Sequence, residues 1–341
     1  MSGSRENDAP SFAYPVALCD IGGTNVRLTE LVEPGAALGA VAHAHTDQYE
    51  GLAGAVDALS ASFSRKPRSL VVCAAGPVEG RRVKLTNARW TIDGPQIAGA
   101  LGLDQGLLLN DFEAQAIMLP TLGGAGTIPI GDAEVPGGEQ TRLVLGPGTG
   151  LGVGLLLPWQ GRLMPVMTEA GHMDFAPASP FEFDLWTVLH RTLTRVTGES
   201  LLSGPGTVRL YKAICELEGF TPTAHDGAEI TRIAHEQPDG VEARTQRIFW
   251  TLVARYAGSL ALGMLAKGGV ALSGGILKKI TAFLDAAEFR RAFDAQEPLG
   301  ALVAKIPVTL VIDEGCVQNG LAELAAEPGR FMIDYKARLW R

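Results

Sequence analysis

Two stretches of the chain share one pattern: an apolar run, a turn rich in glycine that contains a threonine, and a second apolar run. The first covers residues 16–28 with its turn at 20–25, and the second covers residues 143–157 with its turn at 146–150. Each pattern predicts a strand, a tight turn and a second strand. One such turn is as typical of an ordinary hairpin as of a ligand site. The repetition indicates a duplicated domain.

The composition of both turns favours phosphate binding. Glycines let the backbone approach an anion with its N–H groups exposed, and threonine adds a hydroxyl donor. The commoner nucleotide motifs are absent, since no G-x-x-x-x-G-K-[ST] occurs and the second turn leads into a strand and not a helix. We therefore expect a nucleotide to be held between two halves of the chain.

The remaining periodicity predicts an α/β protein. Apolar runs at 70–75, 107–109, 270–272 and 308–312 are typical of buried strands, and residues 246–266 show the strongest helical pattern. The division that we predict is a disordered tail at 1–11, a small α/β domain at 12–120 and a large α/β domain at 121–314, with a helical segment at 315–341 that packs back on the small domain.

Charge and cysteine content exclude several classes of protein. Lys and Arg number 29 against 37 Asp and Glu, a net charge of −8, which argues against nucleic acid as a partner. The four cysteines form no C-x-x-C pair, which disfavours a zinc knuckle or a disulfide framework and favours the cytoplasm. Residues 1–10 lack the features of a signal peptide, and the uncharged stretch 143–161 is too rich in glycine for a membrane helix.

Asp111 is the strongest candidate for chemistry. It follows the predicted strand at 107–109 and starts a predicted helix, so its carboxylate is expected at the edge of the sheet where ligands bind. The alternative is that Asp111 only caps the helix. Asn110 supplies a second polar group beside it, and we expect neither residue to be needed for the fold.

A second candidate group lies at residues 169–175, where Glu169, His172 and Asp174 surround Gly171. These side chains could clamp the hydroxyls of a small substrate. Zinc binding and a satisfied surface histidine are the alternatives, although no cysteine lies nearby to complete a structural zinc site. Two further glycine-rich segments, 203–207 and 274–275, precede predicted helices, where N–H groups favour anions and the lack of side chains admits a flat base. Either segment could also be ordinary loop.

The ordered set of these motifs resembles that of bacterial glucokinases, the ATP-dependent, hexokinase-like enzymes of the actin-like ATPase fold. The segments that carry the resemblance are residues 20–25, 85–90, 110–112, 146–152, 169–177, 202–206 and 269–275, and the match extends from about residue 16 to 326. The resemblance implies two duplicated actin-like (ribonuclease H-like) α/β domains around an interdomain cleft, which glucose is expected to close. Pro147 and Ala170 depart from the usual family pattern without changing a side chain that must do chemistry.

The resemblance also implies the roles of individual residues. Asp111 is the expected catalytic base, and the residues expected to contact glucose are Asn87, Asn110, Asp111, Glu169, His172 and Glu199. The residues expected to hold ATP are Asp20, Ile21, Gly22, Gly23, Thr24, Asn25, Gly148, Thr149, Gly150, Gly204, Gly206, Gly274 and Gly275. Asp20 is further expected to reach Mg²⁺ through water, and no zinc is expected.

The implied reaction moves the γ-phosphate of ATP to the 6-hydroxyl of glucose, giving glucose 6-phosphate and ADP in the first step of glycolysis. We expect a cytoplasmic homodimer with no nucleic-acid or membrane partner. A sugar-responsive repressor would need a helix-turn-helix, for which the segment before Val16 has no room, and a plain ATPase would not need the group around His172. A kinase for another hexose is the remaining alternative.

Overall fold

The structure, a computed structural model, describes residues 9–86 and 88–341. Its strands are Val16–Ile21 (β1), Asn25–Leu31 (β2), Ala42–His45 (β3), Ser69–Ala74 (β4), Val78–Glu79 (β5), Arg82–Lys84 (β6), Thr91–Asp93 (β7), Gln105–Asn110 (β8), Thr127–Pro129 (β9), Arg142–Pro147 (β10), Leu151–Trp159 (β11), Arg162–Thr168 (β12), Gly269–Leu272 (β13), Val308–Val311 (β14) and Leu339–Trp340 (β15).

The helices are Leu52–Ser60 (α1), Gly94–Leu101 (α2), Asp111–Ile117 (α3), Pro180–Leu189 (α4), Gly198–Leu201 (α5), Gly204–Glu218 (α6), Gly227–Glu236 (α7), Val241–Gly263 (α8), Gly275–Lys279 (α9), Ala286–Asp294 (α10), Gly300–Val303 (α11), Cys316–Ala326 (α12) and Tyr335–Arg338 (α13). The mixed α/β class predicted from the sequence is confirmed.

The chain forms two compact units. The first comprises Met1–Gly123, Leu156–Met167 and Asp313–Arg341, and the second comprises Gly124–Leu155 and Thr168–Ile312. The first unit is thus assembled from three separate segments, because the tip of the β11–β12 hairpin and the segment that contains α12 both belong to it.

The first unit is built on a six-stranded sheet with the order β15-β8-β4-β1-β2-β3. Strand β1 pairs antiparallel with β2 and parallel with β4, and β4 pairs parallel with β8. All six residues of β4 and of β8 are buried, which explains their continuous apolar pattern, since parallel strands are covered on both faces. Helices α1 and α2 bury Val56 and Ile97 in a core with these strands, and α12 packs so closely on Met118 that only a glycine, Gly320, fits there.

The sheet of the second unit has the order β11-β10-β13-β14-β9, with β12 beside β11. Here β10, β13 and β14 are parallel, and β9 is antiparallel to β14. The long helix α8 buries Phe249, Val253 and Ala257 among other residues, as its apolar spacing predicted. Helix α7 was missed by the sequence analysis because only Ile230 and Ala234 are fully buried on it, so its apolar face is narrow.

Both predicted hairpins are confirmed. Residues 16–31 form β1 and β2 around the first turn, and residues 142–159 form β10 and β11 around the second. No helix in the described part of the chain is long and apolar enough to cross a membrane.

Candidate active site

The carboxyl ends of β1, β4 and β8 carry the candidate residues of the first unit. Asp20 on β1 is in register with Cys73 on β4, and the Cys73 Sγ lies 3.5 Å from Asp20 Oδ1. On the other side, Arg27 of β2 pairs with Asp20 in the antiparallel register and places its Nη1 3.3 Å from Oδ2. The Arg27 Nε is buried and has no hydrogen-bond partner among the described residues. Both oxygens of the Asp20 carboxylate are therefore held in place.

The first turn is closed by its own backbone. The amide of Gly22 donates to the Asn25 carbonyl at 2.9 Å, and the Asn25 side-chain amide donates to the Thr24 hydroxyl at 3.0 Å. Ile21 is fully buried and anchors the turn, whereas Thr24 and Asn25 are exposed. The exposed part of the turn is therefore the part that carries polar groups.

Asn110, and not Asp111, caps helix α3. The Asn110 Oδ1 accepts from the amides of Phe112 at 2.9 Å and Glu113 at 3.3 Å, and its Nδ2 donates to the Gly76 carbonyl at 3.0 Å. The expectation that Asn110 is not needed for the fold is therefore wrong, because its side chain satisfies amides that the helix itself leaves unpaired. Asp111 is the first residue of the helix. The alternative that Asp111 is merely the cap is excluded.

The Asp111 carboxyl has an unusual environment. Its pKa is raised to about 6, chiefly because it is buried; the Phe112 amide opposes the shift, and the Asp20 charge adds to it. A carboxylate with this pKa is ionised at neutral pH yet takes up a proton more readily than an ordinary aspartate. Such tuning is typical of general bases.

The Cys73 thiol lies in the same environment. Burial raises its pKa well above the usual range, and the nearby charges of Asp20 and Asp111 raise it further. The thiol is therefore an uncharged hydrogen-bond donor to Asp20, without nucleophilic character.

In the second unit the structure brings the predicted sugar-binding residues together. His172 Nε2 lies 3.7 Å from Glu169 Oε2, and His172 Nδ1 lies 3.9 Å from Glu199 Oε1. Asp174, from the same segment, instead pairs with Arg195 at 2.8 Å. The Glu169 side chain is 81% exposed and the Glu199 side chain 34% exposed, so both carboxylates are open to a ligand.

Gly150 connects this group to the second glycine-rich turn, at residues 146–150. Glu199 Oε2 accepts the amide of Leu151 at 2.9 Å, and the same oxygen occupies the space that a side chain at position 150 would need. The glycine thus lets the Glu199 carboxylate reach the Leu151 amide, and a larger residue would displace that carboxylate. A carboxylate expected to bind sugar and a turn expected to bind phosphate are adjacent in one unit.

Three glycine-rich segments of the second unit meet at that turn. The Gly148 amide donates to the Gly150 carbonyl, and the Gly204 amide donates to the Gly148 carbonyl, both at 2.8 Å. Gly274 has a φ of +97° and abuts the Pro147 carbonyl, where no side chain would fit. By contrast, the space beside Gly148 is open. The predicted nucleotide residues of this unit therefore cluster around one open turn.

Two predicted nucleotide residues have distinct local roles. The Gly206 amide donates to the Ser203 side chain at 3.0 Å, and a side chain at 206 would meet the Leu201 backbone, so packing at the start of α6 explains this glycine. Gly275 begins α9 and is open to its surroundings. Asn87, a predicted glucose ligand, lies outside the described residues.

A cavity of about 730 Å³ adjoins this cluster. Its walls come from α6, α7, α8 and α9 and include Gly204, Pro205, His225, Thr231, Gln246 and Ile276. This volume is typical of small-molecule sites.

Gln246 gives the cavity a polar feature, although the residue is fully buried. The Thr231 hydroxyl donates its proton to the Gly227 carbonyl at 2.8 Å, so it accepts from Gln246 Nε2, 3.1 Å away. This fixes the orientation of the amide. The remaining oxygen, Oε1, is an acceptor without a partner among the described residues.

Across residues 9–86 and 88–341, no cluster of three or more His, Cys, Asp or Glu side chains could hold a metal ion. Glu169, His172 and Glu199 therefore do not form a recognisable metal centre in this arrangement.

Comparison with known proteins places this geometry in a family. The family model described as glucokinase matches residues 17–328. A glucokinase of Sinorhizobium fredii is 36% identical over 332 residues, which cover 97% of this chain and 98% of the relative. The chain belongs to the glucokinase family. The prediction of an ATP-dependent hexose kinase that phosphorylates glucose is confirmed.

Solved structures agree with the assignment to the glucokinase family. The structure of a glucokinase from an Antarctic psychrotroph superposes with a TM-score of 0.83 at 27% identity, covering 91% of this chain and 98% of that one. A ROK family glucokinase from Streptomyces griseus, solved with glucose and AMPPNP, has a TM-score of 0.59 at 20% identity, covering 92% and 99%. The second likeness concerns the fold alone.

Two functional candidates were missed from the sequence. Arg27 could have been found from its position opposite Asp20 in the predicted hairpin, because antiparallel register follows from a short turn. Gln246 left no such signal. It lies on the buried face of α8, and the feature that distinguishes it is its side-chain oxygen, which is unpaired within the described part of the chain. That feature can be recognised only in the structure.

We expect Asp111→Asn to raise the free energy of unfolding at neutral pH by about 1–3 kcal/mol. The folded state binds the Asp111 proton more tightly than the unfolded chain, so the wild-type protein loses stability as the pH rises from about 4 to about 6. The full penalty persists at higher pH and is absent below about pH 4, where the carboxyl is protonated in both states. Denaturant unfolding of both proteins at the two ends of this range measures the difference.

Asp104→Asn is the matched control, because Asp104 is half exposed and ion-paired with Arg68. Its effect on stability should stay within about 0.5 kcal/mol. Equal stability of the wild-type protein and Asp111→Asn at neutral pH would contradict the burial penalty.

Proposed function

We propose that Asp111 is the general base that takes the proton of the glucose 6-hydroxyl while the γ-phosphate of ATP is transferred. The observation that supports this role is the raised pKa of a carboxyl at the carboxyl end of β8, held by a helix that Asn110 caps. A primary hydroxyl is a poor nucleophile, so removal of its proton and its alignment with the phosphate are the contributions that a protein can supply.

Glucose is proposed to contact Asn87, Asn110, Asp111, Glu169, His172 and Glu199. The proximity of His172 to Glu169 and Glu199 supports the inclusion of these three residues, because one imidazole lies within 4 Å of two carboxylates and the hydroxyls of one sugar ring could reach all three groups. Asn110 uses Oδ1 in the cap and donates from Nδ2 to the Gly76 carbonyl, and its side chain also hydrogen-bonds to Asp111, so it stands beside the proposed base.

We propose that the two turns hold the ATP phosphates and that the cavity between α6 and α9 holds adenine. In the second unit, the turn at Gly148 and the cavity share Gly204 as a neighbour, so a phosphate chain and its base can occupy them together. Gln246 Oε1 is an acceptor without a hydrogen-bond donor among the described residues, and the adenine 6-amino group is such a donor. The proposed phosphate contacts in the first unit are residues 20–25.

Asp20 fits a role toward Mg²⁺, since its carboxylate is a hard oxygen ligand oriented by Arg27 and Cys73. Bound with ATP, Mg²⁺ would neutralise charge on the β- and γ-phosphates. We propose that no zinc takes part; activity that vanished with a zinc-selective chelator and returned with zinc would contradict this.

We further propose that the units are duplicated actin-like domains with a cleft between them, divided functionally as 12–120 with 315–341 and 121–314. The two sheets support duplication, because each has a three-stranded hairpin arrangement followed by two parallel strands. The proposed glucose ligands belong to both units, so glucose should favour closure. An unchanged scattering radius at saturating glucose would contradict this.

Family membership also motivates the proposal of a cytoplasmic homodimer. The net charge of −8 supports the absence of a nucleic-acid partner. A monomer in sedimentation at micromolar concentration would overturn the dimer.

Asp111→Ala should lower kcat by roughly 10² to 10⁴-fold and leave glucose binding largely intact, because the carboxylate acts on a proton that leaves only during transfer. Wild-type kcat should also fall as the pH drops through about 6, where the base becomes protonated. A coupled assay of ADP release and a calorimetric titration with glucose measure the two effects. Turnover at the wild-type rate would remove Asp111 from the mechanism.

Glu169→Gln and Glu199→Gln should each raise the KM for glucose by roughly tenfold and change the KM for ATP much less, since a charged acceptor toward a sugar hydroxyl is lost. Glu216→Gln is the control, because Glu216 is exposed and pairs with Arg191. A KM for glucose that stayed at the wild-type value in both variants would show that these carboxylates do not touch the sugar.

Gln246→Leu should reduce the preference for ATP over inosine triphosphate by on the order of tenfold, because hypoxanthine carries an oxygen where adenine carries its amino donor. Gln237→Leu, at an exposed glutamine just after α7, is the control. The kcat/KM ratio for the two nucleotides is the measurement. An unchanged ratio would place the base elsewhere.

A further inference from the structure

The segment that contains α13 and β15 contacts the same helical turn that carries Asp111. Arg338, at the end of α13, directs its Nη1 at the Glu113 carboxylate, 2.7 Å from Oε1 and 2.5 Å from Oε2. Glu113 is the third residue of α3. A residue more than two hundred positions away in sequence therefore forms an ion pair with the first turn of this helix.

Glu113 passes this contact on to the helix cap. Its Oε2 accepts the backbone amide of Asn110 at 3.3 Å, while Asn110 Oδ1 accepts the amide of Glu113 in return. This reciprocal pair is a capping box. Arg338, Glu113 and Asn110 form a continuous path to the residue that precedes Asp111.

A capping box alone does not require a charge at Glu113. Glutamine serves equally at this position, and it avoids placing a carboxylate that is only 5% exposed in the protein interior. Burial raises the pKa of the Glu113 carboxyl, and Arg338 opposes that shift. A buried ion pair rarely adds stability over a neutral arrangement, but it can select a single geometry. The pair is therefore better explained by orientation than by stability.

The segment is itself fixed to the strand that leads to Asp111. Strand β15 pairs antiparallel with β8, with Leu339 opposite Leu107 and Trp340 opposite Gly106. The indole of Trp340 fills space that a side chain at Gly106 or Gly94 would occupy, and the residue is 1% exposed. Backbone pairing thus fixes Arg338 relative to β8, and the ion pair fixes α3 relative to Arg338.

We propose that Arg338 and Glu113 are positioning residues that set the orientation of the Asp111 carboxylate. The proposal rests on the role of Asp111 as base. Asp111 lies at the junction of β8 and α3, so any change in the angle between strand and helix moves its carboxylate relative to the 6-hydroxyl. Proton and phosphoryl transfer tolerate only small displacements.

The test separates orientation from stability with three variants. Arg338→Met should lower kcat between about 10- and 100-fold with the KM values for glucose and ATP within about twofold of wild type. Arg338→Lys keeps the charge but places its nitrogen differently from the guanidinium Nη1, and it should recover part of kcat. The double variant Glu113→Gln with Arg338→Met removes both charges but keeps the capping box, so its thermal midpoint should return toward wild type while kcat stays low.

Arg68→Met is the matched control, because Arg68 makes an ion pair with Asp104 at the opposite end of β8. It should leave kcat unchanged. Wild-type kcat in the double variant, or a loss confined to the KM values, would overturn the positioning role. Asp111→Asn in the same assay distinguishes this from failure of the premise: if it keeps wild-type turnover, the base assignment fails, and if it is inactive while the double variant is fully active, only the positioning role fails.

Discussion

Strand β4 is hydrogen-bonded in parallel to β1 on one side and to β8 on the other, and the candidate chemistry of the first unit depends on this arrangement. Parallel pairing brings the carboxyl ends of all three strands to one edge. Asp20 and Asp111 are 91 positions apart in sequence by their numbering, yet the charge of one raises the pKa of the other. A sheet with β1 or β8 reversed would separate the two carboxylates.

This arrangement lowers the stability of the folded state at neutral pH. Burial beside a second carboxylate disfavours the ionised form of Asp111, and the first turn of α3 supplies the amides that limit the cost. In the second unit the constraint is steric, because the Pro147 backbone approaches so closely at Gly274 that a side chain is excluded, and the Glu199 carboxylate fills the space beside Gly150. The candidate site thus carries an electrostatic cost in the first unit. In the second unit it carries a requirement for glycine.

Local pattern was sufficient for the hairpins, for most strands and for the family, because those features depend on residues that are near one another in sequence. The motif at residues 20–25 and the long helix α8 are examples. The role of Asn110 as the cap was not predicted, because a one-residue shift of the helix start cannot be read from periodicity. Strand β15 and Arg338 were missed for a different reason: two residues carry no period, and their partners Gly106 and Glu113 are identified only by the fold. The roles of the individual site residues in the reaction stay predictions.

The accessibility of the Cys73 thiol provides a measure of local opening at this edge of the sheet. Its thiol is completely buried between Asp20 and the core, and its raised pKa leaves almost no thiolate to react. An alkylating reagent can therefore attack it only in molecules in which the turn at residues 20–25 has separated from β4. The rate of Cys73 alkylation in the native protein therefore reports how often that local opening occurs. Ligands that occupy the turn should lower this rate in proportion to their occupancy.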